Sequence, residues 1–125
     1  MLDPMIGQIE LFAIDFAPRG WLPCNGQLLA ITSNPVLFAV LGTTYGGDGR
    51  TTFALPDLRG RVPLHPGPTL PLGAVGGQAA LGTVEVQGAA GAPKVAVAPG
   101  GADNRQPSLA LHYCIAISGV FPARG

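Results

Sequence analysis

The sequence has little charge, and the charge it has is balanced. Charged residues are 11% of its 125 residues, and seven acidic side chains offset seven basic ones. A neutral chain has no electrostatic reason to bind nucleic acid or an anionic membrane, so neither is expected as a partner. Low net charge also removes a repulsion that keeps copies of a protein apart. Self-association, in which copies of the chain bury surface against one another, is therefore compatible with this composition.

Long apolar runs are also lacking. None approaches the ~20 residues that a membrane-spanning helix requires, so no membrane insertion is expected. The first residues, "MLDPMIGQIELFAIDF", have no basic start and carry acids within their apolar part. They do not form a usual signal peptide, and an extracellular protein with this start would need another route of export.

Residues that carry enzyme chemistry are scarce. The sequence has two histidines, His65 and His112, far apart and outside any known motif, and two cysteines without an evident histidine partner. An active site needs a nucleophile with a base, paired carboxylates or a set of metal ligands. We therefore expect no enzymatic activity, no cofactor and no structural metal ion.

Glycine is abundant in "TTYGGDGRTTFALPDLRGR", residues 43–61. A phosphate-binding loop would place lysine after Gly47, but Asp48 stands there and would repel a phosphate. The dinucleotide pattern fails because threonine occupies its last glycine position. A calcium loop needs acids at alternating positions, and Asp48 is alone. A nucleotide or calcium site is thus not expected.

The stretch is better explained by conformation. Glycine permits positive φ angles, so the chain can reverse sharply within a few residues. Arginine offers a planar fork that binds carboxylates or carbonyls at two points, although solvated surface charge is the alternative. The residues predicted as a structural loop and clamp are Gly46, Gly47, Asp48, Gly49, Arg50, Asp57, Arg59 and Arg61.

Local patterns predict a mainly β domain with one short helix. Residues 6–14 partly alternate, with Ile9, Leu11 and Ala13 on one face. Asn25-Gly26 between two apolar runs predicts a hairpin. Asn34, Pro35 and Gly42 are suited to start and end a helix of about two turns. Further strands are predicted at 51–55 and within 109–121.

Composition changes at about residue 66. Of residues 66–103, 23 of 38 are Gly, Ala or Pro, and none is aromatic. "TVEV" and "KVAVA" alternate around "QGAAGAP", which predicts a β-hairpin with a longer loop; a flexible linker is the alternative. Small residues and an alternating edge also suit packing against another chain, so residues 83–98 and the N-terminal segment are candidate assembly contacts.

Several motifs resemble the phage tail-collar family. They are "IGQIELFAIDFAPRGWLPCNGQLLAI", "LFAVLGTTYGGDGRTTFALPDLRGRVP" and "QPSLALHYCIAISGVFP", in this order. The sequence is most similar to the bacterial branch known as microcystin-dependent proteins. The resemblance covers about residues 6–65 and 106–122. Members of the family commonly carry a histidine-x-histidine element that binds metal at a trimer axis, which this sequence lacks.

The resemblance implies a small, non-enzymatic β domain in an oligomeric extracellular or virion appendage. Residues 1–65 form the tail-collar-like region, 66–105 a Gly/Ala/Pro-rich hairpin or assembly segment, and 106–125 a strand that completes the domain. The expected partner is the chain itself, in an open filament or a trimer. The alternative is a receptor-binding tip that holds a cell-surface glycan, for which Trp21, Tyr45 and Tyr113 are candidate flat surfaces.

The two cysteines have two interpretations. In the compact head of the resembling family the first and last strands would pair, so Cys24 and Cys114 could meet and form a disulfide. Across such a long loop, a bridge would stabilise the fold by about 4–5 kcal/mol in the entropy model. Two buried free thiols are the equal alternative, because cysteine is often buried without a partner.

Overall fold

Short strands and one helix make up the regular structure of the protein. The computed structural model describes residues 3–77 and 107–123. In chain order the elements are β1 (Ile9–Phe12), β2 (Trp21–Pro23), β3 (Leu28–Ala30), α1 (Pro35–Leu41), β4 (Thr52–Ala54) and β5 (His112–Ala116). The predicted mainly β class with a single short helix is confirmed for the described residues.

The larger sheet has the strand order β1-β5-β2, with all neighbours antiparallel. Its central strand is therefore the last strand of the chain. Ile115 is the centre of the register, opposite Ile9 on one side and Leu22 on the other. A long-range pairing thus joins the beginning of the chain to its end.

The smaller sheet pairs β3 with β4, and Leu29 lies opposite Phe53. The helix α1 stands between these strands in the chain. As predicted, Pro35 begins it and Gly42 follows its end, where the Gly42 N–H donates to the Phe38 carbonyl. Asn34 occupies the cap position, but its side chain donates to the Ala30 carbonyl and caps no helix amide. A helix of two turns depends on packing, and Leu37 supplies it.

One apolar cluster joins both sheets and the helix. Its buried members are Ile6, Cys24, Leu37, Phe53, Leu55 and Ile115. Phe38 adds a tilted ring contact to Phe53, with ring centroids 5.5 Å apart. Phe53 of the smaller sheet and Ile115 of the larger one are fully buried, and Leu37 of α1 joins them in this core.

The predicted hairpin around Asn25-Gly26 is wrong in its pairing. The chain does turn there, but β2 pairs with β5 and β3 pairs with β4. Asn25 forms an isolated bridge with Asp57, and the Gly26 N–H donates to the Pro56 carbonyl. Each arm therefore pairs with a strand that is distant in the chain, and the two arms lie in different sheets.

Two further expectations from the sequence differ from the structure. Ile9 and Leu11 do share a face of β1, but both are exposed, because the core is gathered over β5 and does not reach this edge strand. The C-terminal strand is shorter than predicted, and His112 at its start is exposed. The predicted hairpin at residues 83–98 lies outside the described residues.

Contacts divide the chain into two compact units. One comprises residues 1–74 and 110–125 and contains every described helix and strand; the other comprises residues 75–109. The predicted division at residues 65 and 105 stays a prediction. Within the first unit the chain ends meet: Met5 bridges Val120, and a Cβ on Gly119 would lie 2.0 Å from the Pro4 carbonyl oxygen.

Candidate functional site

The glycine-rich loop lies along the outer edge of β4. Leu29 of β3 and Phe53 of β4 form a hydrogen-bonded pair in the sheet. The neighbours of Phe53, Thr52 and Ala54, therefore direct their backbone N–H and C=O groups away from β3. The Ala54 N–H donates to the Gly46 carbonyl at 3.1 Å, and the Gly49 N–H donates to the Thr52 carbonyl at 3.0 Å. The loop thus takes the place of a further strand.

Close backbone contact explains the glycines. A Cβ on Gly47 would lie 2.4 Å from the Phe53 Cα and 2.7 Å from the Thr52 carbonyl oxygen, and the Gly47 φ angle is 92°. Gly46 has a φ angle of 132°, and its Cβ would lie 3.1 Å from the Ala54 side chain. Any other residue at position 47 would push the loop away from the strand.

Asp48 holds the loop closed through its carboxylate. One oxygen, Oδ1, accepts hydrogen bonds from the backbone amides of Arg50 (2.8 Å), Thr51 (2.9 Å) and Thr52 (3.0 Å). The other oxygen accepts from the Thr51 hydroxyl at 3.0 Å. Backbone hydrogen bonds, led by that from Thr52, hold the pKa of Asp48 well below its usual range. The carboxylate is therefore committed to the chain's own backbone.

Asp57, beyond the other end of β4, is held by arginines. Arg59 donates through Nε (2.9 Å) and Nη2 (2.8 Å) to the two carboxylate oxygens, and its backbone amide adds a third bond. Arg61 donates from Nη1 to the Asp57 backbone carbonyl at 2.9 Å. The side-chain hydrogen bonds from Arg59 are the largest cause that lowers the pKa of Asp57. Both arginines fix one turn, whereas Arg50 contributes its backbone amide and is otherwise exposed.

The three candidate aromatic residues are separated and half-buried. Trp21 packs edge-to-face on Phe12, with ring centroids 5.1 Å apart. Tyr113 packs against the core cluster, on the face of the sheet opposite to Trp21. Burial raises the pKa of Tyr45, and the nearby Cys24 adds to the effect. The three rings do not form one platform.

Cys24 and Cys114 are both buried, and they lie on neighbouring chain segments. Cys114 lies opposite Pro23, and the Cys24 amide donates to the Tyr113 carbonyl, so the two cysteines are one register position apart. Side chains alternate across a strand, and Cys24 joins the core cluster with Ile115, whereas Cys114 does not. Burial raises the pKa of Cys24 to about 12, with a further contribution from Cys114.

The bridge between these cysteines stays a prediction. Thiol titration of the unfolded, unreduced chain tests it, and two free thiols per chain would contradict it.

A small cleft lies where β2 ends and β5 begins. It has a volume of about 210 Å³ and is lined by Pro23, Cys24, Asn25, Leu58, Arg59, Leu111, His112 and Tyr113. Of the candidate residues, Cys24, Arg59 and Tyr113 are thus brought together, with the exposed residues Asn25 and His112 beside them. His112 had not been singled out for binding, and no sequence motif marks it.

Two threonines that follow the glycines also belong to this loop, although the sequence patterns above do not mark them. Thr51 donates its hydroxyl to Asp48, and the Thr52 hydroxyl accepts from the Asp48 amide at 3.3 Å. An aspartate followed three and four residues later by threonine is the signal that could have found them, because such side chains bond locally to nearby backbone.

Within residues 3–77 and 107–123, no group of three or more His, Cys, Asp or Glu side chains could hold a metal ion. In the same residues, no helix is both long and apolar enough to cross a membrane.

Comparison with known proteins finds a family match in the N-terminal half of the chain. No curated protein matches the chain. A profile of the family described as Phage Tail Collar Domain matches residues 7–63, which include β1 to β4, α1, the glycine-rich loop and both aspartates. Residues 7–63 therefore match the Phage Tail Collar Domain, and the family resemblance is confirmed over this segment.

Proposed function

We propose that this chain is a non-enzymatic structural subunit of a homo-oligomeric phage-tail-like or extracellular appendage. The Phage Tail Collar Domain match supports a structural role in a phage tail fibre and an association with the virion. Membership of the bacterial microcystin-dependent branch belongs to the same proposal and rests on the motifs alone.

The observation that supports the proposal is that Asp48 and Asp57 bind other groups of this chain. Asp48 accepts four hydrogen bonds, all from the residues that follow it, and Asp57 is bound by two nearby arginines. An enzyme or a metal-binding protein would direct such groups at a ligand. Here they fix the path of the backbone, which is the requirement of a subunit that must keep its shape in an assembly.

Electron microscopy of the purified full chain, together with light scattering, tests this proposal. We expect a uniform assembly of several copies, as a filament or a closed particle. A monodisperse monomer at high protein concentration would contradict it.

A glycan-binding tip is the second candidate, and the cleft beside Tyr113 is the observation that favours it. A volume of about 210 Å³ is of the size of a single sugar ring, and Asn25, Arg59 and His112 offer hydrogen bonds around a tyrosine. A tip is expected to form a closed trimer. Binding of the chain to a glycan array, lost in the double variant Asn25→Ala, His112→Ala, would support it; no binding by the wild-type chain would contradict it.

A further inference from the structure

We infer that β1 is the strand through which two copies of the chain pair edge to edge, in antiparallel fashion across a two-fold axis. This inference rests on the proposed function, because it names one contact of the proposed homo-oligomer. It follows from which sheet edges the chain covers itself.

The outer edge of β2 is closed. The Cys24 N–H donates to the Tyr113 carbonyl, and hydrogen-bonded pairs alternate along antiparallel strands, so Leu22 and Ile115 also form a hydrogen-bonded pair. The backbone groups of Trp21 and Pro23 therefore point away from β5. The Trp21 N–H is taken by the Pro18 carbonyl at 3.0 Å. Pro23 has no N–H, and its carbonyl accepts from the Gln27 side chain at 2.9 Å. A further strand could therefore not form regular backbone hydrogen bonds along this edge.

The outer edge of β4 is closed as well, by the glycine-rich loop. β3, on the other side of that sheet, is three residues long, and its Ala30 carbonyl accepts from Asn34 at 3.2 Å. The chain therefore covers or shortens these edges, as soluble proteins do to prevent pairing with other chains.

The edge of β1 has no such cover among the described residues. The Ala116 N–H donates to the Gln8 carbonyl at 2.9 Å, so the even-numbered residues of β1 direct their backbone groups towards β5. Ile9 and Leu11 therefore direct their N–H and C=O groups outwards. Their side chains are 37% and 51% exposed. Four residues of extended chain thus offer both backbone groups and apolar side chains to a partner.

A second copy, through its own β1, is the partner that leaves no open edge in this sheet. The pair would form a continuous six-stranded sheet that ends on both sides at the closed edge of β2. The chain's zero net charge presents no long-range repulsion between copies. The exposed Ile14 and Phe16 follow β1 in the chain and add apolar surface near the contact.

The register of this pair is fixed by the two outward-facing residues. Gly7 cannot extend the outer ladder, because its N–H donates inwards to the Ala116 carbonyl, and β1 ends at Phe12. The complete hydrogen-bonded pairs are then Ile9 with Leu11 of the second copy, and Leu11 with Ile9. The two-fold axis passes beside Glu10, so two glutamates lie opposite each other and weaken the pair.

Sedimentation velocity of the full chain over a range of concentrations tests the inference with two variants and a control. Leu11→Pro removes an outward N–H and leaves the bonds to β5 intact, so we expect at least a tenfold loss of association with an unchanged melting temperature. Leu28→Pro is the matched control: Leu28 is 62% exposed, and its N–H also points away from the partner strand. We expect it to associate like the wild type.

The second variant, Glu10→Gln, removes the opposed charges. We expect its association constant to rise about two- to five-fold. Wild-type assembly that Leu11→Pro and Glu10→Gln leave unchanged, or that Leu28→Pro disrupts equally, would overturn the β1 contact while the proposed function stands. A wild-type monomer would overturn both.

Discussion

Asp48 and Asp57 stand on either side of β4, and both accept the backbone amide two residues further on, yet they are held by different donors. Asp48 is bound by three amides and one hydroxyl of the loop that closes the edge of β4. Asp57 is bound mainly by the guanidinium of Arg59, whose side chain is 67% exposed. Backbone donors are fixed once the loop has formed, whereas a guanidinium on an exposed stem must itself be ordered.

The two clusters therefore differ in how much they contribute to the stability of the fold. The Asp48 cluster is joined to β4 through Thr52, so it helps to seal a sheet edge. The Asp57 cluster fixes a surface turn, and water can replace part of its bonds. We therefore expect changes around Asp48 to cost more stability than equivalent changes around Asp57.

The largest effect is expected from Gly47→Ala. The new Cβ would lie 2.4 Å from the Phe53 Cα, which is too close for two carbon atoms. The alanine would also have to adopt a φ angle of 92°, which residues with a side chain rarely do. We expect a loss of about 3 kcal/mol or more in the free energy of unfolding, measured by urea denaturation.

Gly42→Ala is the control for this change. Gly42 also has a positive φ angle, of 59°, but its Cβ would meet nothing within 4 Å. Its ψ angle is −146°, a combination that residues other than glycine rarely adopt, so the change should cost only the conformational strain, about 1–3 kcal/mol. Equal losses for both variants would show that loop-to-strand contact does not matter.

Asp48→Ala should lower the melting temperature more than Asp57→Ala. The first leaves three backbone amides of the loop without their acceptor, and the second frees one amide and a guanidinium that water can bind. Thermal unfolding monitored by circular dichroism gives the comparison. A larger loss for Asp57→Ala would reverse the ranking of the two clusters.

Acid should weaken the fold through both carboxylates. The pKa of each is lower in the folded chain than in the unfolded chain, where aspartate titrates near about 3.9. The stability that they contribute is complete above that value and is lost as pH falls below it. Urea midpoints between pH 7 and pH 2.5 should therefore fall at the acid end.

The variants Asp48→Asn and Asp57→Asn make this prediction specific. Each should flatten the acid dependence, and Asp48→Asn should flatten it more. A wild-type slope in both variants would assign the acid sensitivity to other groups.

The smallest effect is expected from Arg59→Lys. Lysine keeps the charge but loses the two parallel bonds to Asp57. Because this pair is exposed, we expect a small drop in melting temperature that shrinks further in high salt. A drop as large as that of Asp48→Ala would show that the arginine clamp is as important as the backbone one.

Much of the local structure could be predicted from the sequence. Pro35 and Gly42 mark the helix, because the φ angle of proline suits a first turn and glycine suits a helix end. The glycines of the loop predicted sharp reversals, and each of Gly46, Gly47 and Gly49 has a positive φ angle. The motifs predicted the resemblance to the tail-collar family, and the match confirms it for residues 7–63.

The candidate site could be predicted only in part. Asp48 and Arg59 were marked by their residue types, but the partners of Asp48 are mostly backbone amides, which any sequence supplies. The cleft beside Tyr113 joins the turn after β2 to the start of β5. No local pattern connects residues so far apart in the chain.

Local residue types are enough to predict what each segment can be: a strand, a short helix, or a turn that only glycine permits. Which strands pair with each other depends on the packing of the whole fold. The turn at Asn25-Gly26 suited a hairpin, yet β2 pairs with β5 because that pairing buries Ile115 and Cys24 in the common core. Backbone angles depend on neighbouring residues, whereas burial depends on distant ones, so the closed edges of β2 and β4 and the open edge of β1 appear only when the chain is folded.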